Sequence, residues 1–318
     1  MNRISRRALV SAGAALAAAS PSVAADQAKP PAKKLKVAIF SKHLRFLEGA
    51  SLAEGAAALG FDGVDLAVRR GGHVEPDHVA QDLPPLVSLI RSHGLQVPML
   101  TTDIVFADTP YAEDIMQTMA GLGIRYYRWG GLKYNGTEPI AQQIAQMRPG
   151  VEKLAALNAR YKVTAMYHTH SGVGLVGASI WDLHELLEGF DPERVGVNYD
   201  VGHATVEGGL GGWINSFRIS QPYLRGIAVK DFYWQKDARG QWRVAWQPIG
   251  RGMVHFPQFF GMVAGSGFAG PLQLHFEYPL GGANDGKTTL TLPREEVFQA
   301  MREDLHQIRA YLQEADLA

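Results

Sequence analysis

The chain of 318 residues contains no cysteine, so it has neither disulfide bonds nor thiolate metal ligands. It also carries no excess of either charge, since 31 basic residues balance 31 acidic ones. A chain with zero formal net charge has no bulk attraction to nucleic acid or to an anionic membrane, and we expect neither as a partner. No G-x-G-x-x-G motif follows the first predicted strand, which argues against a dinucleotide-binding fold.

The first 25 residues are predicted to form a targeting segment rather than part of a fold. A basic stretch at 2–7 precedes small apolar residues at 8–19, a run too short to span a bilayer. Small residues suit cleavage before Asp26, and Arg6-Arg7 resembles a twin-arginine export signal; a Sec signal with two adjacent arginines is the alternative. We therefore expect a periplasmic protein, exported by the twin-arginine pathway, without stable membrane association after signal cleavage.

Residues 26–35 are predicted to be a Pro/Lys-rich linker, and residues 36–318 to form one domain in which β-rich and amphipathic helical segments alternate. The predicted strands are 36–41, 63–68, 97–104, 125–131, 162–170, 194–202, 224–231 and 270–278. A helix is predicted after each strand, and the helix at 139–161 is expected to break near Pro149. Strict alternation predicts a parallel sheet, and eight such units fit a single (β/α)8 (TIM) barrel; an open doubly wound sheet is the alternative.

Polar and ionisable residues collect at the C-terminal ends of the predicted strands, where TIM barrels hold their active sites. They include Asp103, Arg128, His168, His170, Asp200, His203, Lys230, His275 and Glu277. Because side chains alternate faces along a strand, His168 shares a face with His170, and His275 with Glu277. Burying this many charges is too costly unless they converge on one functional site, so we expect them around the barrel axis.

Several weaker candidates have two interpretations each. His73 lies in a Gly-rich loop and is either a substrate contact or a solvated histidine. Arg128 and Trp129 either form a wall on which a sugar packs, or Trp129 is part of the barrel packing. Asp103 is predicted to contact the substrate. The tryptophan-rich loop 232–252 is either a hairpin lid over the mouth or a contact between copies in a homo-oligomer. The histidines outside the strand ends are expected to be structural or exposed: His43, His78, His93, His184 and His306.

Five stretches of the chain resemble one known family. They are GFDGVDL (60–66), NYDVGH (198–203), VKDF (229–232), PIGRGMVHFPQFF (248–260) and FEYP (276–279). They resemble the xylose isomerase-like TIM barrels, also called the sugar phosphate isomerase/epimerase family, over nearly all of residues 36–315. The most specific piece is the D-x-x-H of Asp200 and His203 together with Glu277.

The resemblance implies a metal site in which strands five to eight supply Glu, Asp, His and Glu. Asp200 and Glu277 match this pattern, whereas His168 stands in the first position and Ala228 in the third. Arg251 replaces a further glutamate of the P-x-G-x-G loop. His168, Asp200 and Glu277 therefore remain as ligands for a divalent metal such as Mn, Zn, Fe or Co, and His170, His203 and His275 are the candidates for a fourth ligand. A metal-free site with Lys230 as its main cation is the alternative.

The resemblance also implies a carbohydrate substrate and removal of a proton next to a carbonyl group, as in isomerases and epimerases. Glu277, His170, His275 and Lys230 are the candidate catalytic residues, and His203 is a candidate substrate contact. One alternative is a keto-sugar lyase or hydratase, of the 3-keto-glycoside or inosose dehydratase type. Another is a degenerate, non-catalytic sugar-binding barrel. An endonuclease is not expected, because it needs a larger metal cluster and a basic face.

Overall fold

The computed structural model describes residues 34–318. The predicted targeting segment and most of the predicted linker lie outside these residues. Within them the strands are β1 Val37–Phe40, β2 Gly63–Val68, β3 Gln96–Thr102, β4 Tyr126–Trp129, β5 Thr164–His168, β6 Val195–Asp200, β7 Leu224–Val229, β8 Asp231–Lys236, β9 Trp242–Gln247 and β10 Leu272–Leu274. The helices are α1 Ala50–Leu59, α2 Val79–Ser92, α3 Ala112–Gly121, α4 Ile140–Tyr161, α5 Trp181–Leu187, α6 Val201–Gly208, α7 Gly212–Ser220, α8 Phe256–Ser266 and α9 Arg294–Glu314.

Eight parallel strands close into a barrel in the order β1-β10-β7-β6-β5-β4-β3-β2. The predicted (β/α)8 barrel is therefore confirmed. One helix was not predicted: α6 follows β6 without a connecting loop, ahead of the predicted helix, which is α7. None of the helices between residues 34 and 318 is long and apolar enough to cross a lipid bilayer.

The apolar core lies in the layer between the barrel wall and the helices. On β2, Val64, Leu66 and Val68 belong to this apolar cluster, whereas Asp65 and Ala67 alternate with them and face the barrel interior. The same alternation turns polar side chains of β3 to β6 and β10 inward. Burial of the apolar faces stabilises the closed barrel, and the inward faces remain available for chemistry.

Two sequence expectations differ from the structure. Helix α4 runs through Pro149 without interruption, so the predicted break is wrong. Ile144 and Val151 flank the proline and are both buried, and their packing offsets the backbone hydrogen bond that proline cannot donate. Leu35, assigned to the linker, is buried and its backbone N–H donates to the carbonyl of Leu317, so the folded domain begins before Lys36.

The predicted hairpin is confirmed as the antiparallel pair β8 and β9, which follows directly on the end of β7. Asp231 holds the return of this hairpin, because its carboxylate accepts hydrogen bonds from the backbone N–H groups of Gly250, Gly252 and Val254. A Cβ at Gly252 would lie only 2.2 Å from Asp231 Oδ1, so this approach requires glycine. The carboxylate thereby fixes the hairpin over the mouth of the barrel.

Candidate active site

Asp200 lies fully buried at the junction of β6 and α6. Its Oδ1 accepts a hydrogen bond of 3.0 Å from the backbone N–H of His203, three residues into the turn. This is an N-cap interaction, in which a carboxylate satisfies an N–H group that has no partner within the helix. The backbone N–H of Asp200 donates to Thr169 Oγ1 at 3.0 Å. The D-x-x-H spacing thus places both side chains at one end of the barrel.

The second oxygen of Asp200 faces two cationic or polar groups. Asp200 Oδ2 lies 3.1 Å from Lys230 Nζ and 3.5 Å from His168 Nε2, and all three side chains are buried. The Lys230 ammonium also lies 4.8 Å from the ring centroid of Trp246 on β9. A Cβ at Gly202 would lie 2.7 Å from Lys230 Cγ and 2.8 Å from its carbonyl oxygen, so a glycine is required where α6 meets this lysine.

Between residues 34 and 318, the buried nitrogens His168 Nε2 and His275 Nε2 have no hydrogen-bond partner, and Asp200 Oδ2 beside them forms an ion pair with Lys230. One potential ligand atom of each of His168, Asp200 and His275 lies within 4.8 Å of those of the other two. The His168 and His275 rings are stacked, with centroids 5.4 Å apart. Buried polar atoms are normally paired, so two unpaired imidazole nitrogens beside a carboxylate oxygen indicate space for a ligand. Two imidazoles and a carboxylate suit Zn²⁺, Fe²⁺, Mn²⁺ or Co²⁺.

The protonation states in the cluster also suit a metal. Burial lowers the pKa of His168, His203 and His275 well below the usual range, and neighbouring cations lower it further. The imidazoles are therefore neutral at neutral pH, which is the form that binds metals and accepts protons. Burial raises the pKa of Asp200, while the charge of Lys230 opposes that rise.

A pair of side-chain amides supports His168 from below. Asn198 Nδ2 lies 3.1 Å from His168 Nδ1, and Asn198 exchanges two hydrogen bonds with Gln273, at 3.1 and 3.2 Å. Rotating both amides together keeps this exchange and turns an oxygen towards His168 Nδ1. In that arrangement Nδ1 donates its proton to Asn198 and the Nε2 lone pair faces Asp200, as a metal ligand requires.

Glu277 lies apart from the group formed by His168, Asp200 and His275. Both of its carboxylate oxygens lie 3.2 Å from Lys42 Nζ, in the turn after β1. Burial alone would raise the pKa of Glu277, but the charges of Lys230 and Lys42 lower it below its usual value. The structure thus brings His275, a candidate fourth ligand, beside His168 and Asp200, and it places the predicted ligand Glu277 against Lys42.

Two further histidines complete the mouth. The ring of His170 lies 4.4 Å from that of His168, and a second group of potential metal ligands consists of His168, His170 and His203. Both nitrogens of His170 are engaged, since Nε2 accepts from Arg128 at 3.3 Å and Nδ1 lies 3.2 Å from the His168 carbonyl. His203 Nδ1 lies 2.8 Å from Ser171 Oγ, and its ring meets the Trp246 ring edge-on at 5.1 Å.

Comparison with known proteins identifies the family. The family model described as xylose isomerase-like TIM barrel matches residues 53–302. The chain belongs to the xylose isomerase-like TIM barrels. No significant match was found among curated protein sequences.

Solved structures share the fold at low sequence identity. A D-tagatose 3-epimerase-like protein is 12% identical, with a TM-score of 0.65 over 88% of this chain and 98% of that one. The apo form of a 3-keto-D-glucoside 4-epimerase from E. coli is 14% identical, with a TM-score of 0.62 over 87% and 100%. The IolI protein with a bound zinc atom is 13% identical, with a TM-score of 0.65 over 87% and 99%.

Three predicted substrate contacts of this xylose isomerase-like barrel lie away from the central cluster. Trp129 is fully buried behind the wall, where its indole N–H donates to the Val105 carbonyl. His73 Nε2 lies 3.1 Å from the Leu47 carbonyl, and Asp103 is exposed at the rim. None of these positions brings its side chain to Asp200.

His43 corrects the expectation that it lies away from the mouth. The residue is fully buried directly after β1, and its ring centroid is 6.0 Å from that of His275. Its role is nevertheless structural. Nδ1 lies 3.1 Å from the Ala283 carbonyl, and Nε2 accepts from the backbone N–H of Phe276 at 3.1 Å. His43 therefore fixes the segment that carries His275 and Glu277.

Sequence reasoning missed Asp65 and Lys42, and it did not single out Trp246 within its loop. Asp65 is fully buried on β2, and both of its oxygens lie 2.9 Å from the Thr101 hydroxyl. Its signal in the sequence is a single acid among apolar residues in GVDLAV. Lys42 follows β1 as the first cation after a buried strand. Trp246 lies in the tryptophan-rich loop 232–252 that was a candidate lid, but only the pairing of β8 with β9 shows that this tryptophan reaches Lys230.

Asp65→Asn should change how stability depends on pH. Burial raises the pKa of Asp65 from 3.8 to about 7, so the folded state holds a proton that the unfolded state has lost. The free energy of unfolding of the wild type therefore falls as pH rises from about 4 to 7. At pH 8 it should be higher in Asp65→Asn than in the wild type by roughly 2–4 kcal/mol. Urea unfolding at pH 5 and pH 8 measures the difference. Glu54→Gln, at an exposed carboxylate on α1, is the control; equal pH dependence in Asp65→Asn and wild type would contradict the account.

Proposed function

We propose that this chain is a metal-assisted carbohydrate isomerase or epimerase that removes a proton from a carbon next to a carbonyl group. The observation that carries the proposal is that the unpaired nitrogens of His168 and His275 lie beside the Asp200 carboxylate, which the Lys230 ammonium approaches to 3.1 Å. Membership in the xylose isomerase-like TIM barrels supports the reaction class. The epimerase names of two fold neighbours agree with it.

His168, Asp200 and His275 are the residues that would hold the metal. A divalent ion bound there would polarise a substrate carbonyl and stabilise negative charge on its oxygen. His168, Asp200 and His275 are called the triad below. Lys230 is placed to donate a hydrogen bond to the same substrate oxygen, because its ammonium contacts the Asp200 carboxylate of the triad. Trp246, over the Lys230 ammonium, limits the access of water to that hydrogen bond.

Glu277 and His203 are the groups best placed to move the proton. Glu277 is ionised, because the charges of Lys230 and Lys42 hold its pKa low against the effect of burial. His203 is neutral, and no side chain or backbone group between residues 34 and 318 forms a hydrogen bond with its Nε2. One group removes the proton and the other returns it. Return to the neighbouring carbon gives an isomer, and return to the opposite face of the same carbon gives an epimer. His170 has both nitrogens engaged and instead positions Arg128.

Hydrogen exchange into substrate tests this proposal directly. The metal-loaded protein is incubated with ketohexoses and with 3-keto-glucosides in D₂O, and the products are followed by proton NMR. We expect deuterium at the carbon next to the carbonyl, together with an isomer or epimer of the sugar. Lys230→Met should slow the exchange by about 10²–10³-fold, as the loss of an oxyanion donor does. If no carbohydrate in the panel exchanges a proton, the proposal fails.

A keto-sugar lyase is the second candidate, and a specific cavity favours it. A space of about 230 Å³ lies beside the mouth and is lined by His170, His203, Trp181 and Glu207 among others. It offers room for a leaving group next to two imidazoles. The same NMR experiment separates the candidates, since elimination gives an unsaturated keto-sugar and a released alcohol.

We also propose that the protein works in the periplasm after twin-arginine export, on the strength of residues 2–25. Folding and metal loading before export would suit a metal site assembled from strands distant in sequence. Replacing Arg6-Arg7 by Lys-Lys in the full-length chain should stop export, as judged by fractionation of cells. Export of the Lys-Lys variant would instead indicate the Sec pathway.

A further inference from the structure

Two guanidinium groups at the barrel mouth have no carboxylate partner. Arg128 is the inward-facing residue near the end of β4, and its polar contact is His170 Nε2 at 3.3 Å. Arg69 follows β2, and its guanidinium carbon lies 5.3 Å from the ring centroid of Phe40. Across residues 34–318, no carboxylate oxygen lies within 4.0 Å of either group, although ten other Lys and Arg side chains form such pairs.

The electrostatics of the two arginines are unfavourable without a further anion. Burial lowers the pKa of Arg128 to about 10, and the positive charge of Arg69 adds to this effect. The charges of three acids, Asp65, Asp200 and Glu277, act on Arg128 in the opposite sense. Burial raises the pKa of Asp65 to about 7 and its oxygens are engaged by Thr101, whereas Asp200 pairs with Lys230 and Glu277 with Lys42. None of the three acids lies within 4.0 Å of either guanidinium group. Partly buried charges of this kind are normally paired.

Arg69 also borders a cavity at the rim. The space is about 280 Å³ and is lined by the side chains of Lys42, Arg45, Arg69 and Arg70 and by the acids Asp103 and Asp285, which are exposed. Gly71 and Gly72 form part of its wall, so backbone approaches the space closely. Lys42 is already paired with Glu277. Arg69 thus has an open side, and the cavity is large enough for a carboxylate or phosphate group.

We propose that the substrate carries an oxyanion, a carboxylate or a phosphate, which Arg69 and Arg128 bind at the barrel mouth. The inference rests on the proposed carbohydrate function and narrows its substrate class to a sugar acid or a sugar phosphate. The planar guanidinium fork matches both oxyanions with two parallel hydrogen bonds. Arg128 also contacts His170, whose ring lies against that of His168, so the anion would orient the sugar relative to the triad.

Titration calorimetry tests the inference by measuring the dissociation constants of four probes. The probes are D-glucuronate, D-glucose 6-phosphate, D-glucose and inorganic phosphate. We expect one charged sugar to bind at least about 10-fold more tightly than D-glucose, with the preferred one identifying the oxyanion. Arg128→Gln and Arg69→Gln should each weaken it by about 10–100-fold, the usual cost of a lost charge-assisted hydrogen bond. Arg218→Gln, at an exposed position on α7, should bind as wild type. Arg128→Lys should restore only part of the affinity, because an ammonium cannot form the fork.

The outcomes separate this inference from the proposed function. Binding of D-glucose as tight as that of both charged sugars would overturn the oxyanion site and leave the carbohydrate function standing. Phosphate binding that is lost in Arg128→Gln, with no sugar bound, would support the anion site and contradict the carbohydrate function. Absence of binding by all four probes would overturn both. The preference of the wild-type protein needs no variant, so a folding defect in Arg128→Gln cannot obscure the result.

Discussion

Replacing Asp200 by asparagine should abolish metal uptake and turnover together. The substitution preserves the size of the side chain and an oxygen for the backbone N–H of His203, so α6 keeps its cap. It removes the only carboxylate of the triad. Loss of a group that hydrogen-bonds to a metal ligand already lowers metal affinity by about 10–100-fold. Loss of a charged ligand itself should lower the affinity by more than that. Elemental mass spectrometry and the deuterium exchange rate measure the two effects.

The same variant should also lose stability. Lys230 is buried, and Asp200 is its only carboxylate partner within 4.0 Å among residues 34–318. Removing the partner of a buried charge costs about 3–5 kcal/mol of folding stability. This cost is smaller if Lys230 releases its proton, because a neutral amine leaves no unpaired charge. Urea unfolding measures this cost. Asp316→Asn, at an exposed position after α9, is the matched control and should leave metal content, turnover and stability unchanged. A metal content in Asp200→Asn equal to that of the wild type would refute the site.

His275→Gln and Glu277→Gln should separate metal binding from proton transfer. Both variants introduce the same residue on the same segment, two positions apart and on one face. His275→Gln should lower metal affinity by at least about 100-fold, because it removes one of two imidazole ligands. Glu277→Gln should keep the metal, since Glu277 pairs with Lys42, but should lower turnover by about 10²–10⁴-fold, the range of general acid–base catalysis.

The reverse pattern has a clear meaning. If Glu277→Gln loses the metal and His275→Gln keeps it, Glu277 is the ligand that the sequence pattern suggested, and the Lys42 contact belongs to the metal-free state. Titration of each purified apo-variant with Zn²⁺, followed by calorimetry, measures the affinities. Far-ultraviolet circular dichroism of both variants provides the folding control, because the segment after β10 packs against His43.

The barrel and the convergence of its polar residues were predictable because they depend on periodicity. Alternation with period two put His168, Asp200, Lys230 and His275 on inward faces, and the structure brings them together. The same rule could have excluded the wall of Arg128 and Trp129, since adjacent residues on a strand face opposite sides. Trp129 accordingly packs in the outer layer, on Tyr167.

The choice between His275 and Glu277 was beyond sequence reasoning. Both residues lie on one face of the same segment, and alternation gives the face but not the depth along the barrel axis. Depth depends on the stagger of neighbouring strands. Glu277 forms an ion pair with Lys42, which lies near the other end of the chain. The two residues become neighbours only when β1 pairs with β10 and closes the barrel.

The central claim is that His168, Asp200 and His275 hold a divalent metal at the mouth of this barrel. The most direct measurement is an anomalous difference map at the zinc edge from crystals of the full chain grown with Zn²⁺. The account predicts one strong peak per chain, bonded to Nε2 of His168, Nε2 of His275 and a carboxylate oxygen of Asp200, at about 2.0–2.2 Å. A map with no peak between these three residues, at full zinc saturation of the crystal, would contradict it.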